Sequence, residues 1–324
     1  MKIYLQACIT CIFLSVTSHS FSQNNDYPYP VSFFNAGVER TIAKMAYMDI
    51  SPIKPNGKTI MLLHGKNFDG YYWKDVIPFL SDMGYRVIVP DQVGFGKSGK
   101  PNIHYSFHQM AANSKALLDS LGIKKVILIG HSMGGMLAIR FTLMYSSFTE
   151  ILVLENPIGL EDYKTFVPYT APDSLYKKEL AATYESYKKY QQTYYPVWKP
   201  EYEQYVKEQA KALLQDNFPE IAWANALTYQ VIYEQPVCYE FKNITVKTAL
   251  IIGTADRTIV GKDRLTAALI NEHGQYQLLG KQVRSQIKGS TLTELPAVGH
   301  IPHIQDLPAF KNALSDILKQ EHEQ

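Results

Sequence analysis

The sequence predicts an α/β fold in which a mostly parallel sheet is flanked by helices and interrupted by one helical insertion. Three observations carry that prediction. Short β-branched apolar runs alternate with helix-like stretches over residues 32–158, and such alternation builds right-handed βαβ units. The alternation stops over residues 159–236, where no β-branched run occurs and the chain reads as helical. It then resumes over residues 246–252, which places the insertion between two strands of one sheet. Two tandem domains would leave the last two strands by themselves, too few for an independent sheet.

In chain order, the first strands are expected over residues 41–50, 58–63, 86–90, 125–129 and 150–155. The last four are apolar on consecutive residues, as strands buried on both faces are. Helices are expected between them over 72–83, 107–121 and 133–145. In the insertion they are expected over 173–192, 201–215 and 220–233, punctuated by Pro196, Pro200, Pro219 and Pro236. Strands over 246–252 and 291–295 and a helix over 307–319 complete the order. The expected division is a sheet domain of residues 23–158 and 237–324, with 159–236 as a helical cap.

Residues 1–22 are expected to be a secretory signal peptide. Lys2 supplies positive charge, residues 3–16 are mostly apolar, and Ser20 and Ser22 are the small residues before a cut at Gln23. The apolar stretch is short for a bilayer span, although a retained anchor is the alternative. Leu5-Gln6-Ala7-Cys8 has the form of a lipoprotein box but leaves almost no apolar stretch ahead of it. The expected location is therefore periplasmic or secreted, with no membrane span after signal removal. Cys8 and Cys11 fall in the signal, leaving Cys238 as a small packing residue without an internal disulfide partner.

A chain of 324 residues buries a core without disulfides or metals. Its formal net charge is +2, from 32 basic and 30 acidic residues, which makes no electrostatic case for nucleic acid or an anionic membrane as partner. No Cys/His cluster has zinc-ligand spacing. A small-molecule substrate and no cofactor are expected.

The chemistry is concentrated at Gly130-His131-Ser132-Met133-Gly134-Gly135. A strand runs into Gly130 and a helix starts after Ser132, the strand–turn–helix setting that G-x-S-x-G requires. The tight turn strains the backbone at Ser132, and Gly130 and Gly134 permit close approach. The hydroxyl is presented at a helix N-terminus, where an anion is favoured. A serine nucleophile needs a base and a group to orient it. The base should follow the last strand, which selects His300 in Val298-Gly299-His300, with His303 as its rival. The acid should follow the preceding core strand, which selects Asp256 in Gly253-Thr254-Ala255-Asp256. Glu155, at the end of the strand after the elbow helix, is a second acid candidate, otherwise a supporting carboxylate or N-cap. An oxyanion hole needs two backbone N–H donors. Met133 is one, and Lys66, directly after His64-Gly65, is the other. The Lys66 side chain would also place a cation at the pocket mouth and favour anionic substrates.

These motifs, with Pro90-Asp91-Gln92-Val93-Gly94-Phe95-Gly96-Lys97-Ser98, give a chain that resembles the α/β-hydrolase superfamily over roughly residues 30–320. The closer resemblance is to its capped, single-domain bacterial branch. It implies a Ser132–His300–Asp256 triad and says little about substrate. Haloalkane dehalogenases and epoxide hydrolases resemble the chain in layout but use Asp at the elbow, so Ser132 argues against both. Carboxylic ester hydrolysis through an acyl-enzyme is the expected activity. Prolyl aminopeptidase-like peptidases or amidases and C–C bond hydrolases are the alternatives. A catalytically silent binding homologue is disfavoured because all three residues are present. The cap, rich in Tyr, should roof the site. Its tyrosines serve either a pocket or amphipathic packing, and Trp198 and Trp223 are further pocket candidates.

Overall fold

Strands β3 (Thr59–Leu63) and β5 (Val126–His131) are buried at every residue. A strand covered on both faces has no side to present to water, which is why these runs carry no alternation. They lie at the centre of an eight-stranded sheet ordered β1-β2-β4-β3-β5-β6-β7-β8. The computed structural model describes residues 27–319. The expected signal over 1–22, with Cys8 and Cys11, lies outside them.

The remaining strands are β1 (Val31–Val38), β2 (Thr41–Ile50), β4 (Arg86–Pro90), β6 (Thr149–Glu155), β7 (Lys247–Gly253) and β8 (Thr291–Leu295). All pairings from β4 to β8 are parallel, while β1–β2 and β2–β4 are antiparallel. Helices α2 (Phe107–Ser120), α3 (Met133–Met144) and α9 (Tyr276–Gln286) pack against one face through Leu117, Phe141 and Val283. Helices α1 (Ile77–Asp82) and α11 (Leu307–Lys319) cover the other through Leu80, Phe310 and Leu314.

The chain leaves the sheet after β6 and returns at β7. Between them lie α4 (Pro172–Leu180), α5 (Tyr184–Gln192), α6 (Glu203–Ala210) and α7 (Phe218–Glu234), with no strand. Among the described residues no helix is long and apolar enough to cross a membrane.

Four details depart from the sequence expectation. Strand β1 was not expected, because half of this edge strand is exposed and its apolar pattern is weak. The helix expected over 72–83 is a short 3₁₀ turn, Gly70–Trp73, followed by α1, which starts at Ile77 with Pro78 in its first turn. The long helix expected over 173–192 breaks at Thr183. There Thr183 and Ser186 cap each other reciprocally, and such a cap starts a new helix. Helices α8 (Ala267–Glu272), α9 and α10 (Pro302–Gln305) had also not been assigned.

Candidate active site

Ser132 sits between β5 and α3 with φ 57° and ψ −122°, a region that costs a non-glycine residue free energy. The surrounding glycines show what imposes it. A Cβ on Gly134 would stand 2.1 Å from the Leu63 carbonyl oxygen, and one on Gly130 would stand 2.3 Å from that of Gly134. The strand, the turn and the neighbouring loop pass too closely for side chains, so the serine is held up between them.

Its hydroxyl lies 3.0 Å from His300 Nε2, and His300 Nδ1 lies 2.7 Å from Asp256 Oδ2. All three residues are at most 7% exposed. The carboxylate also accepts hydrogen bonds from Asn156 Nδ2 and from the Thr258 backbone N–H, each at 2.8 Å. Burial pushes the Asp256 carboxyl up, but the His300 charge and the hydrogen bonds from His300, Asn156 and Thr258 outweigh it and hold it below the usual range. An ionised Asp256 can only accept, so Nδ1 carries the proton and Nε2 is free to accept one from Ser132.

His300 is held from three directions. Its backbone N–H donates to the Tyr194 carbonyl at 2.8 Å, and its ring stacks on Tyr194 with centroids 4.9 Å apart. Its own carbonyl accepts from His131 Nε2 at 2.8 Å. That bond fixes the His131 tautomer, because a carbonyl has no proton to give. His131 Nδ1 is then the acceptor for the Tyr72 hydroxyl at 3.1 Å, and the Tyr72 oxygen accepts the Gly65 N–H at 2.8 Å. A single directed path thus joins the loop beside Ser132 to the backbone of His300. Burial drives the His131 imidazole down to about 3. A base depressed in the folded state contributes stability above its unfolded value, and that stability is lost as pH falls below about 6.5. The expected loss is about 1.4 kcal/mol per pH unit. Urea unfolding between pH 7.5 and 5.0 should therefore be less steeply acid-sensitive, by that amount, in His131→Gln than in the natural chain. Equal slopes would rule this assignment out.

Glu155 and His303, the other acid and base that the sequence offers, pair with each other instead. Glu155 accepts from both the backbone N–H and Nδ1 of His303, at 2.8 and 2.9 Å. Burial favours the uncharged form of each, raising Glu155 to about 7 and lowering His303 to about 3. His303 stacks on Trp73 with centroids 4.2 Å apart. Neither residue is hydrogen-bonded to Ser132 or His300 through its side chain.

Lys66 and Met133 flank the serine, one in the loop after β3 and the other first in α3. A Cβ on Gly65 would be 3.1 Å from Ser132 Cβ, which places that loop against Ser132. Neither the Lys66 nor the Met133 backbone N–H donates to a protein acceptor among the described residues. Ser132 and His300 open into a cavity of about 380 Å³ whose walls include Tyr187, Tyr190, Tyr194 and Tyr229. The other expected pocket aromatics lie elsewhere. Trp198 packs on Tyr195 and Tyr202, and Trp223 donates to Asn102. Large flat rings there fill the packing of the helical segment. Cys238 is a free, half-buried thiol packed against the core.

Three contributors were not identified from sequence: Asn156, Tyr194 and the His131–Tyr72 pair. Asn156 directly follows β6 and has φ 34°; its Oδ1 also accepts the Gly253 N–H at 2.8 Å. Its place just after a central strand was the one signal available.

Comparison with known proteins adds the following. The model of a family described as alpha/beta hydrolase fold matches residues 58–306. The chain is 45% identical to a probable hydrolytic enzyme of Pseudomonas aeruginosa PAO1 whose crystal structure superposes with a TM-score of 0.88, covering 90% of this chain and 95% of that one. It is 39% identical to Epoxide hydrolase 2 of Siraitia grosvenorii over 100 residues, 30% of this chain and 32% of that protein. It is 29% identical to the 2-hydroxy-6-oxo-6-(2'-aminophenyl)hexa-2,4-dienoic acid hydrolase of Metapseudomonas resinovorans over 161 residues, 47% of this chain and 52% of that protein. The matched stretch thus spans a third to a half of the length of these two curated relatives.

Proposed function

The chain belongs to the α/β-hydrolase family and is a hydrolase, and from that premise we propose that it cleaves carboxylic esters through an acyl-enzyme on Ser132. The observation that carries this reading is the continuous hydrogen-bonded line from Ser132 Oγ through His300 to Asp256. His300 Nε2 takes the hydroxyl proton as Oγ adds to the ester carbonyl. The Met133 and Lys66 N–H groups hold the oxyanion, and the imidazolium is stabilised by the Asp256 carboxylate. The proton then passes to the leaving alkoxide. Water, deprotonated by His300, releases the acid and restores Ser132.

The similarity to an epoxide hydrolase does not transfer its reaction. A serine that opened an epoxide would be left as an ether, which has no carbonyl for water to attack. A C–C bond hydrolase is the second reading, favoured by the 161-residue match to the dienoic acid hydrolase. It would use the same serine on a different substrate.

The test is labelling by a fluorophosphonate probe together with a substrate panel of 4-nitrophenyl esters, a prolyl anilide and a vinylogous ring-cleavage dienoate. Labelling at Ser132 with ester turnover supports the proposal. Turnover confined to the dienoate would replace it with the second reading, and no labelling of folded protein would end both.

A further inference from the structure

We propose that the substrate carries a carboxylate on its acyl chain, seated beside Lys66 in a side pocket that shares the Lys66 wall with the Ser132 cavity. This rests on the ester-hydrolase reading and adds a substrate class to it.

Lys66 lines both the main cavity and a neighbouring pocket of about 160 Å³. Its ammonium has a poor set of partners. It donates to the neutral amide of Asn225 at 3.4 Å and lies 5.9 Å from the Phe95 ring centroid. Among the described residues no carboxylate comes within 4.0 Å of it. The acid whose charge acts on it is Glu179, on the wall of the main cavity and beyond ion-pair distance. A partly buried cation without a counter-ion costs the fold free energy. A ligand that brings the counter-ion removes that cost on binding.

The side pocket reinforces this charge. Lys97 and Lys100 also line it, and among the described residues neither has a carboxylate in ion-pair range. Lys97 stands over the Tyr27 ring at 4.4 Å, and Lys100 donates to the Gly96 and Ser98 carbonyls. Of the two acids on its wall, Glu208 is paired with Lys211 at 2.6 Å. The other, Asp69, is raised to about 7 by burial and by Asp91, so it bears less than a full charge near neutrality. The balance is positive.

Length selects the ligand. The Lys66 backbone N–H faces the scissile carbonyl in the proposed reading, and its ammonium stands at the end of a stem of about four carbons. An acyl chain with the same number of methylenes, laid alongside, ends in its carboxylate at the ammonium. The fitting class is the half-ester of a medium-length dicarboxylic acid.

The test compares 4-nitrophenyl hydrogen adipate with 4-nitrophenyl hexanoate, in which a methyl replaces the carboxylate. Values of kcat/KM are corrected for the uncatalysed rate and taken as a ratio. In the natural chain the ratio should exceed unity, and Lys66→Met should cut it about tenfold, as expected for loss of one charge-assisted hydrogen bond. Asn225→Asp, which gives the ammonium an internal partner, should cut it similarly. Glu179→Gln should raise it. Fluorophosphonate labelling of Ser132 reports independently that each variant retains a formed site. Hexanoate turnover with one common ratio in all four proteins overturns the subsite and leaves the ester reading standing. Failure of the natural chain to cleave either ester, or to label, overturns both.

Discussion

Ser132→Ala should lower kcat for ester hydrolysis about 10⁶-fold while leaving the thermal midpoint within about 2 °C. The large kinetic effect follows from the chemistry. Without Oγ there is no acyl-enzyme, and His300 would have to activate water at a position built for a side chain. The small stability effect follows from the structure. Among the described residues the Ser132 side chain has one hydrogen-bond partner, His300 Nε2. The backbone strain at φ 57° is imposed by neighbouring elements and is shared by alanine. Steady-state kinetics, with the fluorophosphonate as titrant of the natural enzyme, measure the first part, and a melting curve measures the second. Retention of more than about one per cent of kcat would remove Ser132 from the role of nucleophile.

Asp256→Asn should cost about 10⁴-fold in kcat, with a loss of stability on the order of 1–3 kcal/mol, because an amide nitrogen in the place of Oδ2 leaves the buried Asn156 Nδ2 without its acceptor. The carboxylate accepts three hydrogen bonds, from His300 and Asn156 on Oδ2 and from Thr258 on Oδ1. An asparagine whose oxygen keeps the Thr258 N–H must turn its amide nitrogen toward His300. That nitrogen donates to Nδ1 and drives the imidazole proton onto Nε2, where it blocks transfer from Ser132. Turning the amide the other way leaves the half-buried Thr258 N–H without an acceptor. The measurement is kcat in a variant that still melts cooperatively. A loss below about tenfold would show that the imidazole tautomer is set by something other than Asp256.

The elements that carry the candidate site are legible in the sequence wherever the signal is local. The run of Val126 to Ile129 into Gly130, and the turn glycines around Ser132, announce both a buried strand and a close passage of backbone. Asp256 and His300 are legible because each follows a strand that the apolar pattern marks. Strand β1 is not, since an edge strand with half its residues in water carries only a weak pattern. Helix ends inside the insertion fail for a related reason. Thr183 and Ser186 act as a cap only through a reciprocal pair of bonds, and the residues that surround them have helical spacing. The groups that hold His300 are the least legible. Tyr194 lies in a segment full of tyrosines at helical spacing, and its contribution to His300 includes a backbone carbonyl, which every residue possesses. His131 meets the His300 carbonyl across 169 positions, a contact that no local pattern encodes.

The exit of the chain after β6 and its return at β7 bear on how such a protein can change. Closing a loop on the order of 90 residues costs configurational entropy that grows only with the logarithm of its length, so halving or doubling it alters stability by about 0.6 kcal/mol. The pairing of β6 with β7, from Ile151 with Lys247 to Glu155 with Ile251, is therefore almost indifferent to what hangs between them. The helices above the site form a module that can be rebuilt for a different substrate at small thermodynamic cost. One stretch is exempt. Tyr194 supplies the carbonyl that receives the His300 N–H, so any replacement module must bring a backbone acceptor to that point or lose the alignment of the base.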